Sequence, residues 1–203
     1  ENNFLLIILM GNQFVIVYII AILLLISYIY YENQNNEVTY VESSVDGKKY
    51  LVRNLLDKQE AADLLSKIKT RLVKLVDYLE KDYPSDKPVK RLVNKYRPDS
   101  ISESSPDSKY TSYSVNKGEK IVFCIRSRNS QQKLVDENTM MFVALHELAH
   151  VMTVSVGHTE EFWDNFRFLL KNAIKRKLYK KQDFKNKPQE YCGTQITDSP
   201  LKD

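Results

Sequence analysis

Residues 146–150 read HELAH, and His158 follows after seven intervening residues. An α-helix turns once every 3.6 residues, so His146 and His150 stand one above the other on a single face. Two imidazoles so placed can reach one Zn²⁺ at about 2.0 to 2.1 Å, with Glu147 beside them to act as a general base. The chain has 3 His, all within residues 146–158, so chance is a poor account of the spacing. The plainer reading is a helix with two packed histidines and a solvated glutamate. Against it stand Met141, Phe142, Leu145, Leu148, Ala149 and Met152, which place the motif on a buried helix capped by Asp136 or Asn138. A catalytic zinc needs a third protein ligand and an open position. His158 is the first candidate, because Gly157 lets the chain turn back and Thr159 can cap a further helix with a stripe of Phe162, Phe166, Leu169, Leu170, Ala173 and Ile174. Glu160 and Glu161 are the carboxylate alternatives.

A second feature lies at the other end. Residues 14–31, FVIVYIIAILLLISYIYY, carry no charge, and at 1.5 Å per residue they nearly cross a hydrocarbon core of about 30 Å. The expectation is one uncleaved transmembrane helix, since no basic residue precedes the block and no small-residue cleavage site follows it. Met10 is an alternative start to Glu1. Residues 1–47 hold five acids and no Lys or Arg, so the rest of the chain carries a net charge of +9. The nearest cations, Lys48, Lys49 and Arg53, lie on the C-terminal side and lean toward a cytoplasmic catalytic portion.

Residues 1–33 therefore read as an anchor, 34–56 as a linker and 57–203 as one domain. Asp57 with Glu60 forms a capping-box pattern ahead of a helix over about 58–82. Pro88 and Pro98 bracket a short helix near residues 89–96, and residues 99–109 are loop in composition. Residues 110–115 and 120–127 predict a hairpin turning at 116–119. Cys124 and Cys192 are expected as two free buried thiols, which agrees with a reducing compartment. The fold class is α+β, with a small antiparallel sheet and an active-site helix.

HELAH followed by GHTEEFW at residues 157–163 resembles the SprT-like and WLM branches of the HExxH zincin metallopeptidases. Residues 120–201, with FCIR and YCGT, are also similar to small uncharacterised zincin-like proteins of large DNA viruses. Thr153, where metzincins require Gly, sets the chain apart from that branch. The resemblance implies zinc peptidase activity, with His146, His150 and His158 as ligands and Glu147 as base. In zincins the strand before the site helix commonly takes substrate as an added strand, here residues 120–127. For the group that stabilises the transition state, Tyr191 and Arg126 are guesses. The implied partners are a protein or peptide substrate and a membrane. The basic run over residues 175–187 offers a secondary contact with anionic lipid or nucleic acid, and the DNA-bound substrates of these relatives are not carried over. The alternative is a membrane-tethered structural or adaptor protein that keeps the fold without turnover.

Overall fold

The computed structural model describes residues 2–201; Glu1, Lys202 and Asp203, with the question of the start residue, lie outside it. The chain forms two units, one ending at Glu37 and one beginning at Val38. The first is a single helix, α1 (Asn2–Asn35). Within it Phe14–Glu32 is long and apolar enough to cross a membrane, and none of it is buried against protein.

The second unit opens where a linker was expected. Val38–Glu42 (β1) and Lys49–Arg53 (β2) pair as an antiparallel hairpin, and Tyr50 and Val52 of β2 are buried in the core. Apolar residues at alternate positions are what a half-buried strand needs, so this segment belongs to the domain. Helix α2 (Lys58–Asp82) buries Ala61, Leu65, Ile68, Leu72, Leu75 and Leu79 on one face. Its N-cap position is Asp57, but the expected cap bond is not made. The Asp57 carboxylate accepts instead from Arg126 Nη1 at 2.5 Å, and a charge-assisted bond is the stronger of the two. Helix α3 (Lys87–Lys95) is capped by Asp86, whose side chain accepts from Val89 N.

Residues 99–109 are not all loop. A 3-10 turn (Pro98–Ser100) leads into β3 (Ile101–Glu103), which is wholly buried. The sheet order is β3-β5-β4, with β5 (Lys120–Phe123) parallel to β3 and antiparallel to β4 (Ser112–Val115). The sheet is therefore mixed, and β4 is the edge that faces the site. Helices α4 (Glu137–Met152) and α5 (Glu160–Lys175) follow, and α4 packs against α2, α3, α5 and β4. Covered on nearly every side, α4 is apolar all round, as a core helix should be. The chain closes with the hairpin β6 (Gln189–Tyr191) and β7 (Thr194–Ile196). Its two turn residues, Cys192 and Gly193, have φ of 52° and 77°, the positive angles that a tight two-residue hairpin turn requires.

The two cysteines correct an expectation. Cys124 and Cys192 form a disulfide with Cα atoms 6.1 Å apart. The bond ties the residue after β5 to the turn of the last hairpin.

Candidate metal centre

Asp136 caps α4 by accepting from Asn138 N and Thr139 N. That fixes the start of the helix, and two turns further on His146 and His150 share one face. After Met152 the chain leaves the helix through Thr153, whose N–H still donates to Ala149 O. Gly157, at φ 85°, reverses the path and returns His158 over the helix. Thr159 then caps α5 by accepting from Phe162 N.

The result is a convergence of three ring nitrogens. His146 Nε2 lies 3.2 Å from His150 Nε2 and 3.1 Å from His158 Nε2, and all three ligand atoms fall within 4.8 Å of one another. Two Zn–N bonds of about 2.0 to 2.1 Å at a tetrahedral angle separate their nitrogens by about 3.3 Å. The three residues fit a zinc ion on that criterion. Burial, followed by the neighbouring imidazoles, holds His146 down at about 3, and burial with His158 and Lys117 holds His150 at about 4. Both are neutral at physiological pH, the form that binds a metal. Phe162 stacks on the His150 ring with centroids 4.3 Å apart and meets the edge of His146 at 4.9 Å. The rings are thus held by packing as well as by backbone.

Glu147 is 4% exposed, and burial alone pushes its carboxyl up to about 8. Without a cation beside it such a carboxyl stays largely protonated at neutral pH, and a zinc ion in the histidine site would favour the carboxylate that a general base needs. It opens on a cleft of about 1390 Å³ shared with the three histidines, Tyr191 and Trp163. The edge strand β4 forms one wall of that cleft and residues 196–201 another. Val156 and Tyr110 on its rim are exposed, giving the mouth an apolar character.

Other expected roles are redistributed. Glu161 and Glu160 are absent from the histidine cluster, and the Glu161 carboxylate is engaged by Val154 N, Ser155 N and Ser155 Oγ. Arg126 faces away from the cleft. It is 2% exposed, donates to Glu103 Oε1 at 2.7 Å and bonds Asp57, so its role is in the core. Tyr191 does line the cleft, with its hydroxyl 2.5 Å from Ser112 Oγ. The strand expected to receive substrate, β5, is paired on both sides and has no free edge; β4 does. Sequence reasoning missed the Tyr191–Ser112 pair, because 79 residues separate its members and no local pattern joins them.

Residues 88–202 match the WLM domain family. An uncharacterized protein of Acanthamoeba polyphaga mimivirus is 38% identical over 197 residues, covering 94% of this chain and 100% of that protein. An uncharacterized protein of Invertebrate iridescent virus 3 is 46% identical over 69 residues, which is 34% of this chain and 42% of the relative. The crystal structure of Wss1 from Saccharomyces cerevisiae is 21% identical, with a TM-score of 0.45 over 61% of this chain and 84% of that one.

Proposed function

The chain belongs to the WLM domain family, a zincin-like group, and from that premise we propose that it is a membrane-anchored zinc peptidase. The observation that carries the reading is the convergence of His146, His150 and His158 within 4.8 Å beside a buried carboxyl in an open cleft. A zinc ion held by these histidines would polarise the scissile carbonyl and make water a stronger acid. The protein supplies the rest. Glu147 takes a proton from the attacking water and returns it to the leaving amine. An extended substrate adds to the free edge of β4, where main-chain hydrogen bonds give affinity without demanding a sequence. Tyr191, held by Ser112, presents a hydroxyl at the cleft wall and is the candidate to stabilise the developing oxyanion.

The apolar segment Phe14–Glu32 supports a single membrane span. The Cys124–Cys192 disulfide supports a catalytic portion on the oxidising side, because disulfides rarely persist against cytosolic thiols. That reading takes precedence over the cytoplasmic one drawn from charge: the nearest cations stand at the far limit of the positive-inside rule, about 15 to 20 residues from the span.

Metal content and cleavage of an unfolded protein, measured on the wild type and on Glu147→Gln, test the proposal. The glutamine is nearly isosteric, so zinc and fold should persist while turnover falls by about 10²- to 10⁴-fold. Zinc-loaded wild type that cleaves nothing would leave the fold as a tether or adaptor.

A further inference from the structure

The third histidine stands in the short loop 153–159 between α4 and α5, and that loop is pinned at its first residues by two side chains from elsewhere. Lys117, in the β4–β5 turn, directs Nζ at three successive carbonyls: Thr153 O at 2.8 Å, Val154 O at 2.6 Å and Ser155 O at 2.7 Å. An ammonium has three donors, so all are spent on this loop. Glu161, at the start of α5, accepts from the other side. Its carboxylate takes Val154 N at 2.9 Å, Ser155 N at 3.0 Å and Ser155 Oγ at 2.7 Å. The N–H and C=O groups of both Val154 and Ser155 are thereby satisfied, each pair by an opposite charge. No secondary structure does this work for a stretch that otherwise has none.

The reach of Lys117 is set by its neighbour. Gly118 has φ 112°, and a Cβ there would stand 2.7 Å from Lys95 O and 2.8 Å from Val151 Cγ1. The turn therefore seats directly on α4, next to His150, and a side chain at 118 would lift it off. Lys117 sits at the C-terminal end of α4, where a cation also meets the negative end of the helix dipole. Downstream, Ser155 Oγ and Thr159 Oγ1 lie 2.6 Å apart, closing the loop around residues 156–158.

We propose that Lys117 is a positioning residue for His158: it holds the loop so that the third nitrogen arrives beside the other two. The inference rests on the zinc reading above. It also means that the hairpin whose edge would take substrate is the element that sets the third ligand.

Zinc affinity of the full chain in detergent, measured by competition with a chromophoric chelator, tests this. Groups that orient a ligand from behind typically change metal affinity by about 10- to 100-fold, and Lys117→Met is expected in that range. The deciding comparison is the same change made in a His158→Ala background. A residue that acts through His158 has nothing left to position there, so Lys117→Met should cost no further affinity; a general loss of structure would cost the same in both backgrounds. Lys117→Arg, which keeps charge and donors, should fall between wild type and Lys117→Met, and covers the case in which the methionine variant folds poorly. Equal losses in both backgrounds, or no loss in the wild-type background, would overturn the assignment. A wild-type chain that takes up no zinc would overturn the metal reading and this inference with it, whereas zinc uptake without proteolysis would leave the inference standing.

Discussion

Arg126 and Glu103 form an ion pair with both side chains almost completely out of water, at 3% and 1% exposure. Burial raises the Glu103 carboxyl, although Arg53 N and Arg126 hold it with hydrogen bonds. Removing one member of such a pair leaves the other charge uncompensated, so Arg126→Ala should destabilise the fold by about 3 to 5 kcal/mol in urea unfolding. Zinc content of the folded fraction should not change, because neither residue reaches the histidines. The Lys69–Asp46 pair at 2.6 Å makes a different prediction. Burial pushes the Asp46 carboxyl up, yet bonds from Lys69, Tyr50 and Lys48 N more than offset this and hold it well below its usual 3.8. A depressed folded-state value means stability that is complete above about pH 5 and is lost as pH falls through and below 3.8. Asp46→Asn should therefore flatten the acid limb of a stability-versus-pH curve, and an unchanged slope would remove the pair from the account. The pairing of His146 with His150 was legible in the sequence because a helix translates their spacing directly into geometry, whereas His158 joins them through the loop that turns at Gly157. The role of Arg126 was not legible, since its partners Glu103 and Asp57 stand 23 and 69 residues away.

Helices α2 and α5 follow the apolar periodicity that identifies them, α3 the prolines that bracket it and α4 its dense apolar content, and the β4–β5 hairpin follows its turn residues. The elements that escaped are short strands. β3 reads Ile-Ser-Glu, and Glu103 enters the core there because Arg126 and Arg53 N both donate to its carboxylate. β1 and β2 passed for a linker because each is five residues long and half-buried, and the surface they cover is supplied by α2 and β3, further along the chain. The β6–β7 hairpin has little apolar area of its own; Tyr191 and Cys192 are its buried residues. Its attachment then depends strongly on the disulfide, which spans a sequence separation of 68. Closing a loop of that length restricts the unfolded chain by about 4 kcal/mol in the entropic account, with measured losses commonly about 2 to 5 kcal/mol. Replacing both cysteines by serine should lower stability in that range. Proteolytic turnover should fall with it, because residues 196–201 wall the cleft, while zinc stoichiometry should hold, because α4 and its following loop carry all three nitrogens. Reductant added to the wild type should reproduce the same three readouts.

At the scale of the whole molecule, the proposed membrane span would divide the chain between two solvents. Phe14–Glu32 has a mean hydropathy of 2.5, while the net charge of +4 divides into −5 over residues 1–47 and +9 over residues 48–203. An unburied apolar helix of this length is costly in water, since each fully exposed large apolar side chain forgoes about 1.5 to 3 kcal/mol of burial. A bilayer relieves that cost, and a span of about 20 apolar residues is the length it accepts. Full-length protein should thus sediment with membranes and resist alkaline extraction, whereas a chain lacking residues 1–33 should stay in the supernatant. The second unit contains its own core, from Tyr50 and Val52 of β2 to Tyr191 and Cys192, so the truncated chain should keep a cooperative unfolding transition and its zinc. The sidedness proposed from the disulfide makes a prediction of its own. In sealed vesicles the portion after residue 37 should be protected from added protease, and alkylation before reduction should leave Cys124 and Cys192 unmodified. Digestion of that portion in intact vesicles, with both thiols alkylated, would return the catalytic unit to the cytoplasmic face. A mature chain starting near residue 32 would convert the anchor into a cleaved export signal and the enzyme into a released one.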